Sequence, residues 1–151
     1  MNLIVLDTNV IVSALWNRNG NPAILLKMFF ESKIVLFYDK EILNEYNRVL
    51  RRDKFKFLEP EINDLLHFIE TNGIPISNTE KSIEFMIDES DRKFYDVAKK
   101  SKAFLITGNQ KHFPNESFIL SPTIFLNLYL KRVTLFQKFK RFIKTILRRL
   151  F

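Results

Sequence analysis

The sequence predicts an α/β fold built on a parallel sheet. Three short apolar runs, residues 2–6, 33–38 and 103–106, are rich in Ile, Val, Leu and Phe and read as buried strands. The segments between them place apolar residues at helical spacing. Strand-like and helix-like segments in alternation are the signature of crossover connections between parallel strands.

Each element follows in order. The run 2–6 ends at Asp7, and Val10, Ile11, Ala14 and Leu15 give a helix over 8–16. Asn21-Pro22 offers an N-cap followed by Pro at the first helical position, opening a helix to about Ser32. After the strand 33–38, Asp39 caps a helix whose stripe is Ile42, Tyr46, Val49 and Leu50. Pro60 starts a helix carrying Ile62, Leu65, Leu66 and Ile69, and Gly73 ends it. Residues 74–90 carry no readable period. Ser90 caps a helix from Asp91 to about Lys102, with Phe94, Val97 and Ala98 on one face. The strand 103–106 runs into Thr107-Gly108-Asn109. A short strand at 117–120 and a helix from Pro122 complete the body.

The 151 residues fit one domain, and no repeat or low-complexity stretch interrupts them. With no cysteine there is no disulfide scaffold, thiolate metal site or cysteine nucleophile. No apolar run reaches 18 residues. The N-terminal MNLIVLDTNV lacks a basic leader and meets an acid at position 7, so a cytoplasmic protein is expected. The net charge of +7 is unevenly spread. Of 24 Lys/Arg, eight fall in residues 131–151, leaving 16 against 17 acids in residues 1–130. The chain therefore divides into a near-neutral body, 1–130, and a basic tail, 131–151.

Ligand sites of open parallel sheets form outside the carboxyl ends of the strands. Asp7 ends the first strand there, and Asn109 lies just past the third. Glu45 borders the apolar stripe of its helix instead of pointing to open solvent. Asp91 lies in the first turn of its helix, where the free N–H groups favour a carboxylate, with Asp88 and Glu89 just before it. Clustered carboxylates repel one another unless a cation neutralises them. Asp, Glu and Asn oxygens without Cys suit a hard ion such as Mg²⁺ or Mn²⁺, which activates water and offsets the charge of a phosphodiester transition state. Taken singly, each acid has another reading: Asp39 and Asp91 as caps, Glu45 as a solvated helix residue, Asp7 as a turn former. An aspartate-nucleophile phosphatase needs a second Asp two residues after the first, and that position is Asn9.

Three segments, LIVLDTNVIVSAL (3–15), EILNEYNRVL (41–50) and DESDRKFYDVAKKSKAFLITGNQKHFP (88–114), occur in an order and spacing that resemble a PIN-domain protein. More narrowly, the chain resembles relatives of the VapC-like ribonuclease toxins of toxin–antitoxin systems. The resemblance covers roughly residues 1–130. It implies a Rossmann-like α/β/α sandwich that cleaves RNA with Mg²⁺ or Mn²⁺, leaving 5′-phosphate and 3′-hydroxyl ends. It makes Asp7, Glu45 and Asp91 the metal ligands and catalytic acids, with Asn9 and Thr107 orienting them and Asp88 supporting. The fourth catalytic position, often Asp in this family, is Asn109, which brings an amide oxygen but no charge and leaves the second metal ion in question. Asp96, on another face of the same helix as Asp91, is a substitute ranked below Asn109. The resemblance further implies a cognate antitoxin and a homodimer.

Other residues invite functional readings. His112 lies near the proposed site but reads as a loop histidine bonded to backbone; His67 reads as structural. Trp16 and the 16 Phe read as core or dimer contacts, and Arg51, Arg52 and Lys111 as solvated charges that can meet RNA phosphates. In the tail, Leu135, Phe136, Phe139, Phe142, Ile143, Ile146, Leu147 and Leu150 recur at helical spacing opposite the basic residues. This basic amphipathic helix can pack on the body or a second copy, hold RNA, lie on an anionic membrane surface, or dock an acidic antitoxin. For the whole chain the leading reading is an endoribonuclease toxin. A PIN-like binding module that has lost catalysis and an RNA-processing or DNA-flap nuclease remain as alternatives.

Overall fold

The computed structural model describes residues 2–150; Met1, Phe151 and the side chains of Ile146, Arg149 and Leu150 lie outside the described residues. The strands are β1 (Leu3–Leu6), β2 (Val35–Tyr38), β3 (Ile74–Pro75), β4 (Phe104–Ile106) and β5 (Ile119–Leu120). They form one parallel sheet in the order β3-β2-β1-β4-β5. The helices are α1 (Thr8–Trp16), α2 (Asn21–Phe30), α3 (Lys40–Leu50), α4 (Glu59–Asn72), α5 (Arg92–Ser101) and α6 (Pro122–Leu150). They flank the sheet and complete an α/β sandwich.

The core forms because β1 contributes Ile4, Val5 and Leu6, all essentially inaccessible, at the middle of the sheet. A central parallel strand is covered on both faces, so alternation gives way to a continuous apolar run. The amphipathic α5 lays Phe94, Val97 and Ala98 against β1, β2 and β4. The stripe expected on α3 is the one that buries: Ile42, Tyr46, Val49 and Leu50.

Several local expectations are corrected. Gly20, not Asn21, is the N-cap of α2, and the Asn21 amide instead donates to Thr123 Oγ1 at 2.7 Å. α2 stops at Phe30 because Ser32 turns into the left-handed region at φ 54°. The stretch 74–90 holds the edge strand β3. The side chain that caps the turn before α5 is Asp88, which accepts from the Ser90 N–H at 2.8 Å, not Ser90. Glu89–Asp91 is a separate 3₁₀ turn, so Asp91 precedes α5 instead of lying inside it. The preceding segment is held down by Arg92, which is buried and donates to the Ser82 and Glu84 carbonyls and to the Ser82 hydroxyl at 2.8–2.9 Å. The Glu89 carboxylate accepts the remaining two hydrogen bonds of that guanidinium, from Nε and Nη2, which pulls the Glu89 pKa down to about 2.

The tail continues the helix that opens at Pro122. Phe125 and Leu126 bury against the body, whereas Leu135, Phe136, Phe139, Phe142 and Leu147 are exposed. Among the described residues no helix is long and apolar enough to cross a membrane.

Candidate active site

The expected acids converge. Asp7, Glu45, Asp88, Asp91 and Asn109 line one open cleft of about 400 Å³, together with Asn9, Arg48, Arg52, Phe55 and His112. Asp7 enters from the end of β1 and Asn109 from the turn after β4, as the rule for parallel sheets requires. Thr107 is buried beneath.

Asp7 is the deepest of the acids, 5% exposed. It is also the N-cap of α1. Its Oδ2 accepts from the Thr107 hydroxyl at 2.7 Å and from the Asn9 amide at 2.6 Å; its Oδ1 accepts from the Asn9 backbone N–H at 3.3 Å. Every one of these donors is neutral. Burial therefore dominates and pushes the carboxyl up to about 6, with the charges of Asp91 and Glu45 adding to the rise and the Thr107 hydrogen bond opposing it. Asn9 does a second job: its Oδ1 accepts from the Gly108 N–H at 2.9 Å and fixes the turn after β4. A Cβ at position 108 would stand 3.2 Å from that oxygen, so glycine allows the approach.

Glu45 is only 15% exposed at the side chain and is neutralised within the chain. Lys93 Nζ lies 2.6 Å from its Oε2, and the Thr8 hydroxyl donates to its Oε1 at 2.6 Å. The next residue, Tyr46, is fully buried and donates to the carbonyl of Leu6, the residue before Asp7. That bond ties α3 to the tip of β1 and so sets where Glu45 stands. Burial raises the Tyr46 pKa well above its ordinary value, so the phenol stays a donor.

Asp91 is paired by His112, which the sequence placed near the site but as a loop histidine bonded to backbone. Among the described residues the ring of His112 makes no backbone bond. Its Nδ1 faces Asp91 Oδ2 at 2.9 Å and its Nε2 faces the Asn109 amide at 2.6 Å. With the Asn109 amide donating, Nε2 accepts and the ring proton on Nδ1 is donated to Asp91. Asp88, Asp91 and His112 each offer one ligand atom within 4.8 Å of the others. Asp96, the suggested substitute, turns away from the cleft and accepts from the Ser82 N–H at 3.3 Å. His67 lies on the exposed side of α4. Trp16 is 64% exposed instead of buried.

Lys93 as a site residue and the pairing of His112 with Asp91 were missed for different reasons. A basic residue in the first turn of a helix opposes the helix dipole and calls for a carboxylate nearby, which is a usable signal for Lys93. The position of His112 depends on how the 3₁₀ turn Gln110–His112 folds over the cleft, and no spacing in the sequence encodes that.

The donor set fits a hard divalent cation. It is almost all oxygen, with one imidazole, and Asp7 is a buried acid with no cationic partner of its own among the described residues. A PIN-domain family model matches residues 3–111 of the chain. The chain belongs to the PIN-domain family. PIN domains are generally nucleases and typically bind divalent metals, which agrees with the acidic cleft. This PIN domain is also 37% identical over 117 residues to the uncharacterized protein MJ1680 of Methanocaldococcus jannaschii, an alignment covering 71% of this chain and 70% of that protein.

Proposed function

We propose that this PIN domain is a metal-dependent endoribonuclease. The observation that carries the reading is Asp7: a carboxylate buried beside two further acids and held only by neutral donors, an arrangement that costs stability until a cation arrives. Asp7, Glu45 and Asp91 would hold Mg²⁺ or Mn²⁺, with Asp88, Asn109 and His112 at hand. A bound divalent ion supplies water activation and charge neutralisation at the scissile phosphate.

The chain's own part is orientation and charge placement. Thr107 and Asn9 hold the Asp7 carboxylate in one rotamer. Lys93 and Thr8 do the same for Glu45, and His112 for Asp91. Such locking keeps the acids from collapsing away from one another as they repel. Arg48 and Arg52, on the cleft wall, supply the positive charge that draws a phosphate backbone toward an acidic floor.

The narrower role, a type II toxin acting in the cytoplasm as a homodimer and silenced by a cognate antitoxin, is supported by the resemblance of the three motif segments. The decisive experiment is cleavage of a labelled single-stranded RNA panel with Mg²⁺, Mn²⁺ or EDTA. We expect metal-dependent cutting with 5′-phosphate products that disappears in Asp91→Asn. Cutting retained in that variant, or a folded protein inert on every RNA with either metal, overturns the reading. Growth arrest on expression, abolished by the same substitution, tests the toxin role separately.

A further inference from the structure

The segment after α3 alternates basic and aromatic residues. Residues 48–57 hold Arg48, Arg51, Arg52, Lys54 and Lys56 against one acid, Asp53, with Phe55 and Phe57 among them. Arg51 is turned to structural use, donating to Glu59 at 3.1 Å and Asn63 at 2.6 Å, which pins the loop to α4. Arg48 and Arg52 are exposed on the cleft wall and form no ion pair among the described residues. Phe55 lines the same cleft and stacks on Phe57, with centroids 5.6 Å apart and planes 11° apart. Trp16 stands edge-on to both, at 5.9 and 6.4 Å.

Trp16 closes α1, the helix that Asp7 caps, about 13 Å along the axis from it at 1.5 Å per residue. Val12 and Ser13, one turn earlier, line the cleft. The three rings are therefore an outward continuation of the cleft wall. An indole more than half exposed, set beside two further rings and next to the cleft, has hydrophobic surface left over for a ligand. Bases of an unpaired strand stack on such rings, whereas the bases of a duplex are already stacked on one another.

We infer that Trp16, Phe55 and Phe57, with Arg48 and Arg52, form a platform that takes single-stranded nucleic acid and feeds it to the acidic cleft. The rings take bases, the guanidinium groups take phosphates, and together they offset the repulsion between the strand and the acids. The inference rests on the reading of the cleft as a nucleic-acid site and adds which strand form enters and by which wall.

Trp16 is the sole tryptophan, so its fluorescence reports the platform directly. The full chain, in EDTA so that nothing is cut, is titrated with oligo(U), oligo(dT) and a duplex of equal length. Emission of Trp16 and anisotropy of the labelled strand are followed together. We expect both single strands to quench Trp16 at saturation and the duplex to bind at least about tenfold more weakly. Phe55→Leu should weaken single-strand binding about 5- to 150-fold. The double variant Arg48→Gln, Arg52→Gln, on exposed positions that the fold does not need, should lower the salt slope of log K by about 1.4. Strand binding with no change in Trp16 emission, equal affinity for duplex, or no oligonucleotide binding at all because the surface serves a protein partner each overturns the inference. A chain that binds strands here but never cuts them keeps the platform and defeats the nuclease reading. A chain that cuts RNA with Phe55→Leu and the Arg pair indifferent does the reverse.

Discussion

The hydroxyl of Thr107 donates to Oδ2 of Asp7 over 2.7 Å, although the two are 100 positions apart in the chain. The bond exists because β1 and β4 are neighbours in register, Leu6 beside Ile106, so the residues that follow each strand emerge together. It is the largest of the hydrogen-bond effects, with Asn9 behind it, that favour the charged form of a carboxylate that burial otherwise disfavours.

Removing that donor should therefore act through protonation. Thr107→Val raises the Asp7 pKa further, and the acid limb of the pH–rate profile moves to higher pH. Metal affinity should fall about 10- to 100-fold, the usual effect of losing a residue that orients a ligand. Thr107→Ser, which keeps the hydroxyl, should restore both. A profile unchanged in Thr107→Val would show that the bond is only structural.

The buried charge of Asp7 also predicts a stability change of opposite sign to the activity change. Its folded pKa of about 6 lies above the unfolded value of 3.8, so the folded state binds more protons between those values and loses stability as pH rises through them. Complete ionisation costs about 3 kcal/mol by the 1.36 kcal/mol per pK unit of linkage. Asp7→Asn should then melt higher than the wild type in EDTA at pH 7.5, with the gap closing at pH 4, while losing cleavage and the Tm gain from Mg²⁺. Thermal melts at the two pH values check it.

Lys93 is the cation that the fold itself supplies to Glu45. With both side chains largely covered, 12% and 15% exposed, the pair lies between the surface and buried limits. Lys93→Gln should cost about 2 kcal/mol in the absence of metal. Calorimetry with Mn²⁺ should show tighter binding in the variant, because a competing positive charge has gone. Weaker Mn²⁺ binding would mean that Lys93 holds Glu45 in place more than it competes.

His112 is a positioning residue for Asp91. His112→Ala should lower Mn²⁺ affinity about 10- to 100-fold with little change in the melting curve, since the ring is partly exposed. His112→Gln, which retains a donor, should recover part of the loss. Unaltered Mn²⁺ affinity in His112→Ala would remove the residue from the site.

The architecture and the acids were legible because their signals are local and periodic. A buried strand announces itself as an apolar run, and an acid at its end is conspicuous; that and the stripes of α3 and α5 made Asp7, Glu45 and Asp91 candidates, each with another reading, and the resemblance of the three segments singled them out. What escaped depends on contacts between distant segments. Residues 77–84 are tied down by side chains of α5, Arg92 and Lys100 donating to backbone carbonyls and Asp96 accepting from the Ser82 N–H, ties that leave no period in the sequence. Trp16 read as a core or dimer contact because aromatic side chains usually bury, and its exposure excludes the core. Phe55 and Phe57 stand nearly perpendicular to the indole and leave it more than half exposed, which the loop shape decides.

The sheet order carries a consequence for how this protein comes into being. The cleft is assembled from pairs separated by 21, 37 and 98 to 100 positions. Contacts of such span form late, after loop-closure entropy has been met by the strands beside them. A ribosome-bound chain that has delivered β1 and α3 but not β4 holds Asp7 and Glu45 without Thr107, Gly108 or His112. The acidic cleft is thus completed only when β4 pairs with β1, and a chain interrupted before residue 107 lacks the donors that fix Asp7 and Asp91.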